Sequence, residues 1–259
     1  MTSTTPSAGS SALAACREEG RAALIGYLPV GFPTLAGSLE AIAAIVEGGV
    51  DIVEVGVPYS DPLMDGPVIQ RATETALAAG MTVDDVFTAV AASVAAGAPA
   101  YVMSYWNLIL RRGVDRFAAD LAAAGGSGVI TPDLIPDEAS EWLEAARRHD
   151  LDPVFLVAPS STTERLSVAT AACRGFVYAA STMGVTGTRA SVGDAAADVV
   201  ARTRAVTDLP VCVGLGVSNR AQGRGGQKRG GLVTFSSRLQ RQRACTRVQA
   251  LVLYGSSTW

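Results

Sequence analysis

Three acidic residues in one short stretch could carry out acid–base chemistry. The segment VEVGVPYSDPLMDGP (53–67) holds Glu54 at the end of an apolar run, and Asp61 and Asp65 in the loop that follows. Glu54 and Ile52 share one face of a strand, because side chains alternate along it. If Ile52 points into a barrel, Glu54 points into its mouth, where apolar surroundings raise a carboxyl pKa toward neutrality. Two such acids suit an acid–base pair, although strand-end, turn or capping roles explain the same residues.

Two glycine-rich segments could hold an anion. STMGVTGT (181–188) and GLGVS (214–218) each follow a predicted strand. Glycines at strand ends let backbone N–H groups approach a phosphate closely, and consecutive late strands are the usual place for a phosphate site in a barrel. The pattern therefore predicts phosphate binding, with plain turn geometry as the alternative.

Short apolar, β-branched runs must position these residues. They alternate with alanine-rich stretches of helical spacing over the first 218 residues, which favours parallel strands joined by helices. The length and the absence of GxGxxG after the first run favour a (β/α)8 TIM barrel over an open doubly wound sheet. The predicted strands are ALIGYLPV (23–30), VDIVEV (50–55), AYVMS (100–104), GVI (128–130), PVFLV (153–157), GFVYA (175–179) and PVCVG (210–214).

The composition bounds the class of protein. The chain has 259 residues, 49% hydrophobic and 17% charged, so a mainly disordered chain is excluded. We expect a cytoplasmic protein without a signal peptide or membrane span, with residues 1–12 as a flexible tail. Four well-separated cysteines indicate neither disulfides nor a zinc ribbon. The single histidine, His149, excludes a His-rich metal site, and we expect it on the surface at a helix end.

The net charge of −3 hides an asymmetry. Residues 1–218 carry 24 acidic and 13 basic side chains, whereas residues 219–259 carry eight basic and no acidic ones. A basic arm that binds nucleic acid is one interpretation, but the charge alone is a weak signal, and we expect no nucleic-acid or membrane partner.

Five ordered motifs carry a family resemblance. VEVGVPYSDPLMDGPVIQRA, MSYWNLILRRGVDRF, ITPDLIPDE, YAASTMGVTG and VGLGVS resemble the α subunit of tryptophan synthase, over about residues 23–218. The resemblance implies a TIM-barrel lyase of tryptophan biosynthesis. It would cleave indole-3-glycerol phosphate to indole and glyceraldehyde 3-phosphate without its own cofactor. It also implies an α2β2 heterotetramer, in which indole passes to a β subunit that holds pyridoxal phosphate.

The resemblance assigns roles to individual residues. It implies that Glu54 is the catalytic glutamate, which moves a proton between indole C3 and the glycerol C3′ hydroxyl. It implies that Asp65 accepts from the indole N–H, and that Thr186 meets Asp65 when a loop closes. The indole pocket would comprise Tyr27, Ile69, Met103, Ile130, Tyr178 and Leu215, although ordinary core is an alternative for its apolar members. Gly187, Gly214 and Gly216 would contact phosphate, and Asp61, Asn107 and Asp133–Pro136 would contact the β subunit.

The chain departs from the family pattern after VGLGVS. The family continues with a helix, an eighth strand, a Gly-Ser phosphate loop and a final helix, and residues 219–259 match none of these. We therefore divide the chain into the tail, a barrel domain at 13–218 and an atypical basic segment at 219–259. The composition break favours a reading-frame shift near codons 219–223, which resequencing would decide. ALVLYGSS (250–257) as a makeshift eighth strand and phosphate loop is a weaker alternative.

A missing or abnormal eighth βα unit would have physical consequences. We expect open strand edges, low stability and weak or no turnover. A catalytically impaired partner that regulates the β subunit is accordingly the alternative function, and a lyase that works without a partner is not excluded by the sequence.

Overall fold

The chain folds as a curled parallel sheet surrounded by helices. The computed structural model describes residues 5–180, 194–217 and 249–254. Within these residues the parallel strands are β1 (Leu24–Pro29), β2 (Ile52–Gly56), β3 (Ala100–Met103), β4 (Gly128–Thr131), β5 (Asp152–Val157), β6 (Val177–Ala180) and β7 (Val211–Val217). All seven predicted strands are confirmed, and so is a sheet of the TIM-barrel type.

Helices cross between the strands on the outside of the sheet. They are α1 (Ala8–Glu18), α2 (Leu35–Glu47), α3 (Pro67–Ala78), α4 (Val83–Ala95), α5 (Trp106–Arg112), α6 (Val114–Ala123), α7 (Ser140–Arg148), α8 (Thr163–Ala172) and α9 (Asp194–Arg204). Local sequence sets their ends: Thr34 caps α2 through its side chain, and Thr82 with Asp85 forms a capping box on α4. In the described ranges no single helix is long and apolar enough to cross a membrane, and α3 with α4 pass that test only as a pair bent by 113°.

Two hydrophobic layers result from the alternation of side chains along the strands. Val53 and Val55 face outward and pack with the helices. Ile52 faces inward, which is the condition under which the period of two points Glu54 into the mouth. The interior cluster also contains Ile25, Tyr101, Ile130, Val154, Phe176 and Cys212. Glu54 follows Ile52 on the inward face, so the strand itself delivers a carboxyl group to the mouth of the sheet.

Helix α1 covers the opposite, amino-terminal end of the strands. Ser7 caps α1, and its hydroxyl donates to the fully buried carboxylate of Asp152. Tyr101 donates to the same carboxylate at 2.7 Å, and the Arg174 guanidinium pairs with it. The prediction of a flexible tail through residue 12 is therefore wrong for residues 8–12. Ser7 caps the helix and also binds Asp152, so a contact with the folded sheet helps to fix its start.

The last described segment closes the sheet in an unexpected direction. The strand β8 (Gln249–Tyr254) pairs antiparallel with both β1 and β7, where we expected open edges. An antiparallel strand begins at the end where β7 stops, whereas a parallel one needs a crossover back to the other end. The prediction that the eighth βα unit is abnormal is therefore confirmed, because its strand is antiparallel to its neighbours and not parallel. Residues 250–254 of the alternative ALVLYGSS thus form an eighth strand, whereas its Gly-Ser pair lies outside the described residues; Tyr254 lies beside Val211 at the amino-terminal end of the sheet, so β8 leads away from the mouth.

Candidate active site

Glu54 is an almost completely buried carboxyl group at the mouth of the sheet. It lies on β2, opposite Tyr27 of β1 in the strand register, and is 1% exposed. Its Oε2 atom has no hydrogen-bond partner within the part of the chain that the structure describes. Burial, and then the charge of Asp65, raises the pKa of Glu54 from 4.5 to about 8. A carboxyl group in this state is protonated at neutral pH and has an oxygen free to meet a ligand.

Asp65 reaches the same mouth from the loop between β2 and α3. Burial raises the pKa of Asp65 from 3.8 to about 6. Its charge also contributes to the raised pKa of Glu54, so the two carboxyl groups share one electrostatic environment. At pH 7 these pKa values leave Asp65 mostly ionised and Glu54 mostly protonated. The pair therefore offers one acid and one base, the division that different surroundings impose on neighbouring carboxyl groups.

Two tyrosines complete the polar lining. Burial raises the pKa of Tyr27 well above its ordinary value, followed by the charges of Asp65 and Glu54. Burial likewise raises the pKa of Tyr178, followed by the charge of Glu54 and other groups that include Asp65. The structure thus brings these four predicted residues together around one opening. Their side chains are packed closely enough for each acid to act on both phenols.

Glycines on the neighbouring strands make room for these tyrosines. A Cβ atom at Gly56 would overlap the Tyr27 ring, and one at Gly214 would overlap the Tyr178 ring. In both cases the ring of one strand lies across a glycine of the next, β1 over β2 and β6 over β7. The packing of the Tyr178 ring therefore explains why residue 214 is a glycine, independently of any contact between its backbone and a phosphate.

The apolar residues predicted for the indole pocket are buried to different extents. Ile69 is 2% exposed on α3, and Ile130 is fully buried in the interior cluster. Met103, at the end of β3, is partly buried and packs against that cluster. Leu156 was not among the predicted residues. It also packs against the cluster, and it pairs with Tyr178 in the strand register. Its alternation with Val154 along β5 is the signal that could have identified it.

Several predicted residues fall elsewhere. Thr186 and Gly187 lie outside the described residues, and Leu215 and Gly216 are placed only as backbone of β7. Asp61 is exposed, and its carboxylate accepts from the Ser60 hydroxyl at 2.6 Å, which fits a turn residue.

The other residues predicted to contact the β subunit form hydrogen bonds with neighbouring segments at the mouth. The carboxylate of Asp133 accepts the Trp106 N–H at 2.9 Å, and Asn107 donates to the Tyr59 hydroxyl at 2.9 Å. His149 lies at the end of α7, where it contacts Asp115 and takes no part in the mouth. Among the described residues, no group of three or more His, Cys, Asp or Glu side chains could hold a metal ion.

A TIM-barrel sheet with an acid and a base at the carboxyl ends of its strands defines an acid–base enzyme of the barrel class. The chain belongs to the family described as tryptophan synthase alpha chain, whose model matches residues 13–236. The match runs past residue 218, where the resemblance was expected to stop. Members of this family are lyases of tryptophan biosynthesis that cleave indole-3-glycerol phosphate.

Individual relatives support the assignment to the family. The chain is 65% identical over 207 residues to the tryptophan synthase alpha chain of Mycobacterium marinum, covering 80% of this chain and 77% of that one. A structure of Mycobacterium tuberculosis tryptophan synthase superposes with a TM-score of 0.83 at 58% identity, over 86% of each chain. A structure of the Pyrococcus furiosus tryptophan synthase α2β2 complex gives 0.74 at 34% identity, covering 81% of this chain and 85% of that one.

Proposed function

We propose that this chain cleaves indole-3-glycerol phosphate by a retro-aldol reaction in which Glu54 and Asp65 carry the proton transfers. The observation that supports the proposal most directly is the raised pKa of both carboxyl groups at one opening, caused chiefly by burial. Their values place the proton on Glu54 and the charge on Asp65 at neutral pH, which is the state that the reaction needs at its start.

Glu54 donates one proton and takes up another during the proposed reaction. Its carboxyl group gives a proton to indole C3, and the ring becomes an indolenine with positive charge on nitrogen. The resulting carboxylate takes the proton of the C3′ hydroxyl, the C3–C3′ bond breaks, and its electron pair returns to the ring. Indole and an aldehyde result, and Glu54 ends protonated as it began. The buried Oε2 atom, which has no hydrogen-bond partner among the described residues, is suited to this shuttle.

Asp65 serves the charge that develops on the indole nitrogen. A carboxylate that accepts the indole N–H stabilises the indolenine more than the neutral ring, so its interaction is strongest near the transition state. Ile69, Ile130 and Met103 would hold the indole, with Tyr27 and Tyr178 beside it. Backbone N–H groups near Gly214 and Gly216 would hold the phosphate. Proton transfers suffice for this reaction, so we expect pyridoxal phosphate only in the β subunit.

We further propose that the rim of the mouth docks the β subunit in an α2β2 complex. Leu63 is 71% exposed, and Ile135, in the predicted contact segment, is 42% exposed. Large apolar side chains in water at a rim are typical of an interaction surface. Asp61 lies in the loop after β2, and Asn107 lies at the start of α5, which follows β3.

The test is an assay of indole release from indole-3-glycerol phosphate, with and without a β subunit. Wild-type chain should release indole. Glu54→Gln and Asp65→Asn should each lose about 10²–10⁴-fold in kcat, the usual contribution of a general acid or base. Equal rates for wild type and Glu54→Gln would exclude the proposed mechanism.

The direction of β8 favours a second candidate, a catalytically impaired partner that regulates the β subunit. Because β8 runs away from the mouth, its carboxyl end does not supply phosphate contacts there. In this case the chain should release little or no indole, and wild-type and Glu54→Gln chains should change β-subunit activity equally. Efficient indole release by the chain alone would exclude this candidate.

A further inference from the structure

The Asp65 carboxyl group depends on a loop that gains little from its own side chains. Residues 57–66 form no regular helix or strand between β2 and α3. Leu63, two positions before Asp65, is 71% exposed and so contributes little burial energy. Something other than apolar packing of Leu63 must therefore fix the backbone that presents the carboxyl group to Glu54.

One phenol oxygen, that of Tyr105 at the junction of β3 and α5, binds this backbone. The Tyr105 hydroxyl oxygen accepts the N–H of Leu63 at 2.9 Å and the N–H of Met64 at 3.0 Å. On the other side of the loop, the Gln70 side chain donates to the carbonyl oxygen of Asp65 at 2.8 Å. Two peptide groups shortly before Asp65 and the peptide group directly after it are thus tied to side chains of other elements.

Tyr105 is itself held firmly enough to act as an anchor. It is 7% exposed at the junction of β3 and α5, and its ring packs on Tyr59 with 4.9 Å between ring centres. The N–H of the next residue, Trp106, donates to Asp133, which follows β4. Each strand end is therefore linked to the next around the mouth, from β4 through β3 to the loop after β2.

We propose that Tyr105 is a positioning residue, whose hydroxyl holds segment 63–65 so that Asp65 stays beside Glu54 at the mouth. Tyr105 acts through the loop backbone and needs no contact with the substrate. The inference deepens the proposed function and rests on it for the catalytic consequence. The placement of Asp65 can nevertheless be measured without any turnover.

The electrostatics of the site give a direct measure of that placement. Burial raises the pKa of Asp65 to about 6, so a loop that moves outward should return this value toward 3.8. The titratable groups whose pKa values respond to the charge of Asp65 are Tyr27, Glu54, Tyr105 and Tyr178, and all of them are raised first by burial. Substituting Tyr105 with phenylalanine adds no charge to this set and keeps the ring.

The experiment compares Tyr105→Phe with wild type by carboxyl-carbon NMR, on full-length chain labelled at its aspartate carboxyl groups. The Asp65 signal is assigned by its loss in Asp65→Asn. We expect the pKa of Asp65 to fall by about one pH unit or more in Tyr105→Phe. Tyr59→Phe is the matched control, because it removes a hydroxyl from the same ring pair and leaves the Leu63 and Met64 N–H groups bonded. An unchanged Asp65 titration in Tyr105→Phe would overturn the proposal.

Kinetics separate a positioning role from a general loss of stability. We expect about 10–100-fold lower kcat for indole release in Tyr105→Phe, with KM little changed. In the Asp65→Asn background, Tyr105→Phe should lower kcat little further, because both substitutions affect the same interaction. Equal fold losses in the wild-type and Asp65→Asn backgrounds would show that Tyr105 acts elsewhere. If instead Glu54→Gln matches wild type, the proposed function fails, whereas the NMR result still decides the placement of Asp65.

Gln70→Leu provides a second variant that does not touch Tyr105. It removes the donor to the Asp65 carbonyl and fills similar volume on α3. A fall in the pKa of Asp65 in the same direction would support two-sided anchoring of the loop. A normal Asp65 titration in Gln70→Leu, together with a normal one in Tyr105→Phe, would refute it.

Discussion

Replacing Glu54 with glutamine should stabilise the fold at neutral pH while removing the proposed activity. The pKa of Glu54 is about 8 in the folded chain, against 4.5 when it is solvated, and burial is the main cause. The folded chain therefore keeps a proton that the unfolded chain releases. The contribution of this group to stability is complete below pH 4.5, declines as the pH rises from 4.5 to 8, and is constant above that.

The magnitude follows from the two pKa values. Each pH unit between them costs about 1.4 kcal/mol, so the wild-type fold has lost about 3 kcal/mol from this group at pH 7. Glutamine fills nearly the same volume and does not ionise. The free energy of unfolding of Glu54→Gln minus that of wild type should accordingly increase by roughly 3 kcal/mol between pH 4.5 and pH 7.

Urea unfolding at pH 5, 6, 7 and 8, followed by tryptophan fluorescence, measures this difference. Glu47→Gln is the control, because it makes the same substitution at an exposed position at the end of α2, away from the site. A difference between Glu54→Gln and wild type that stays constant from pH 5 to pH 8 would refute the raised pKa of Glu54, and with it the assignment of this residue as the proton donor.

Four further predictions concern the same structure. The plot of kcat/KM for indole release against pH should be bell-shaped, falling below about pH 6 as Asp65 takes up a proton and above about pH 8 as Glu54 loses one; a flat profile from pH 5 to 9 would contradict both assignments. Asp65→Asn should lower kcat about 10²–10⁴-fold at pH 7 in the indole assay, and a loss below threefold would exclude a direct role. Gly214→Ala should force the Tyr178 ring from its place and lower indole release about tenfold or more, whereas wild-type kinetics would show that the ring does not matter. Asp152→Ala should lower the free energy of unfolding by about 3 kcal/mol in urea titrations at pH 7, because it leaves buried hydrogen-bond donors unpaired; a loss under about 1 kcal/mol would mean that the network is dispensable.

Local patterns were sufficient to predict the strands and the position of the main carboxyl group. Alternation along β2 put Ile52 and Glu54 on one face, and the structure shows that this face is the interior of the sheet. The same rule applied to β5 would have added Leu156. No motif marks that position, although the alternation of Leu156 with Val154 is visible in the sequence.

Contacts between distant parts of the chain were beyond the reach of local patterns. Tyr105 binds the backbone of residues 63 and 64, which lie 42 and 41 positions away in the sequence. No periodicity relates the two segments, since only the neighbouring positions of β2 and β3 in the sheet bring them together. The helix that begins at Ala8 was missed for a similar reason. Its start is fixed partly by Ser7 meeting Asp152, a residue that only the folded chain places beneath it.

The eighth strand shows how a sheet can close without completing its repeat. In a βα repeat the crossover helix returns the chain to the amino-terminal end, and each new strand then delivers its carboxyl end to the mouth. The strand β8 starts beside Tyr27 at the mouth and ends beside Val211. It therefore forms hydrogen bonds with both edge strands, but its amino-terminal end, and not its carboxyl end, lies at the site. Closure therefore protects the edges of β1 and β7, while the phosphate contacts at the mouth do not include the carboxyl end of β8. If those contacts are too few, the KM for indole-3-glycerol phosphate should be raised far more than kcat is lowered. A weakly bound substrate with intact acid–base chemistry would place the defect in the last strand, and a normal KM with a low kcat would place it at Glu54 and Asp65.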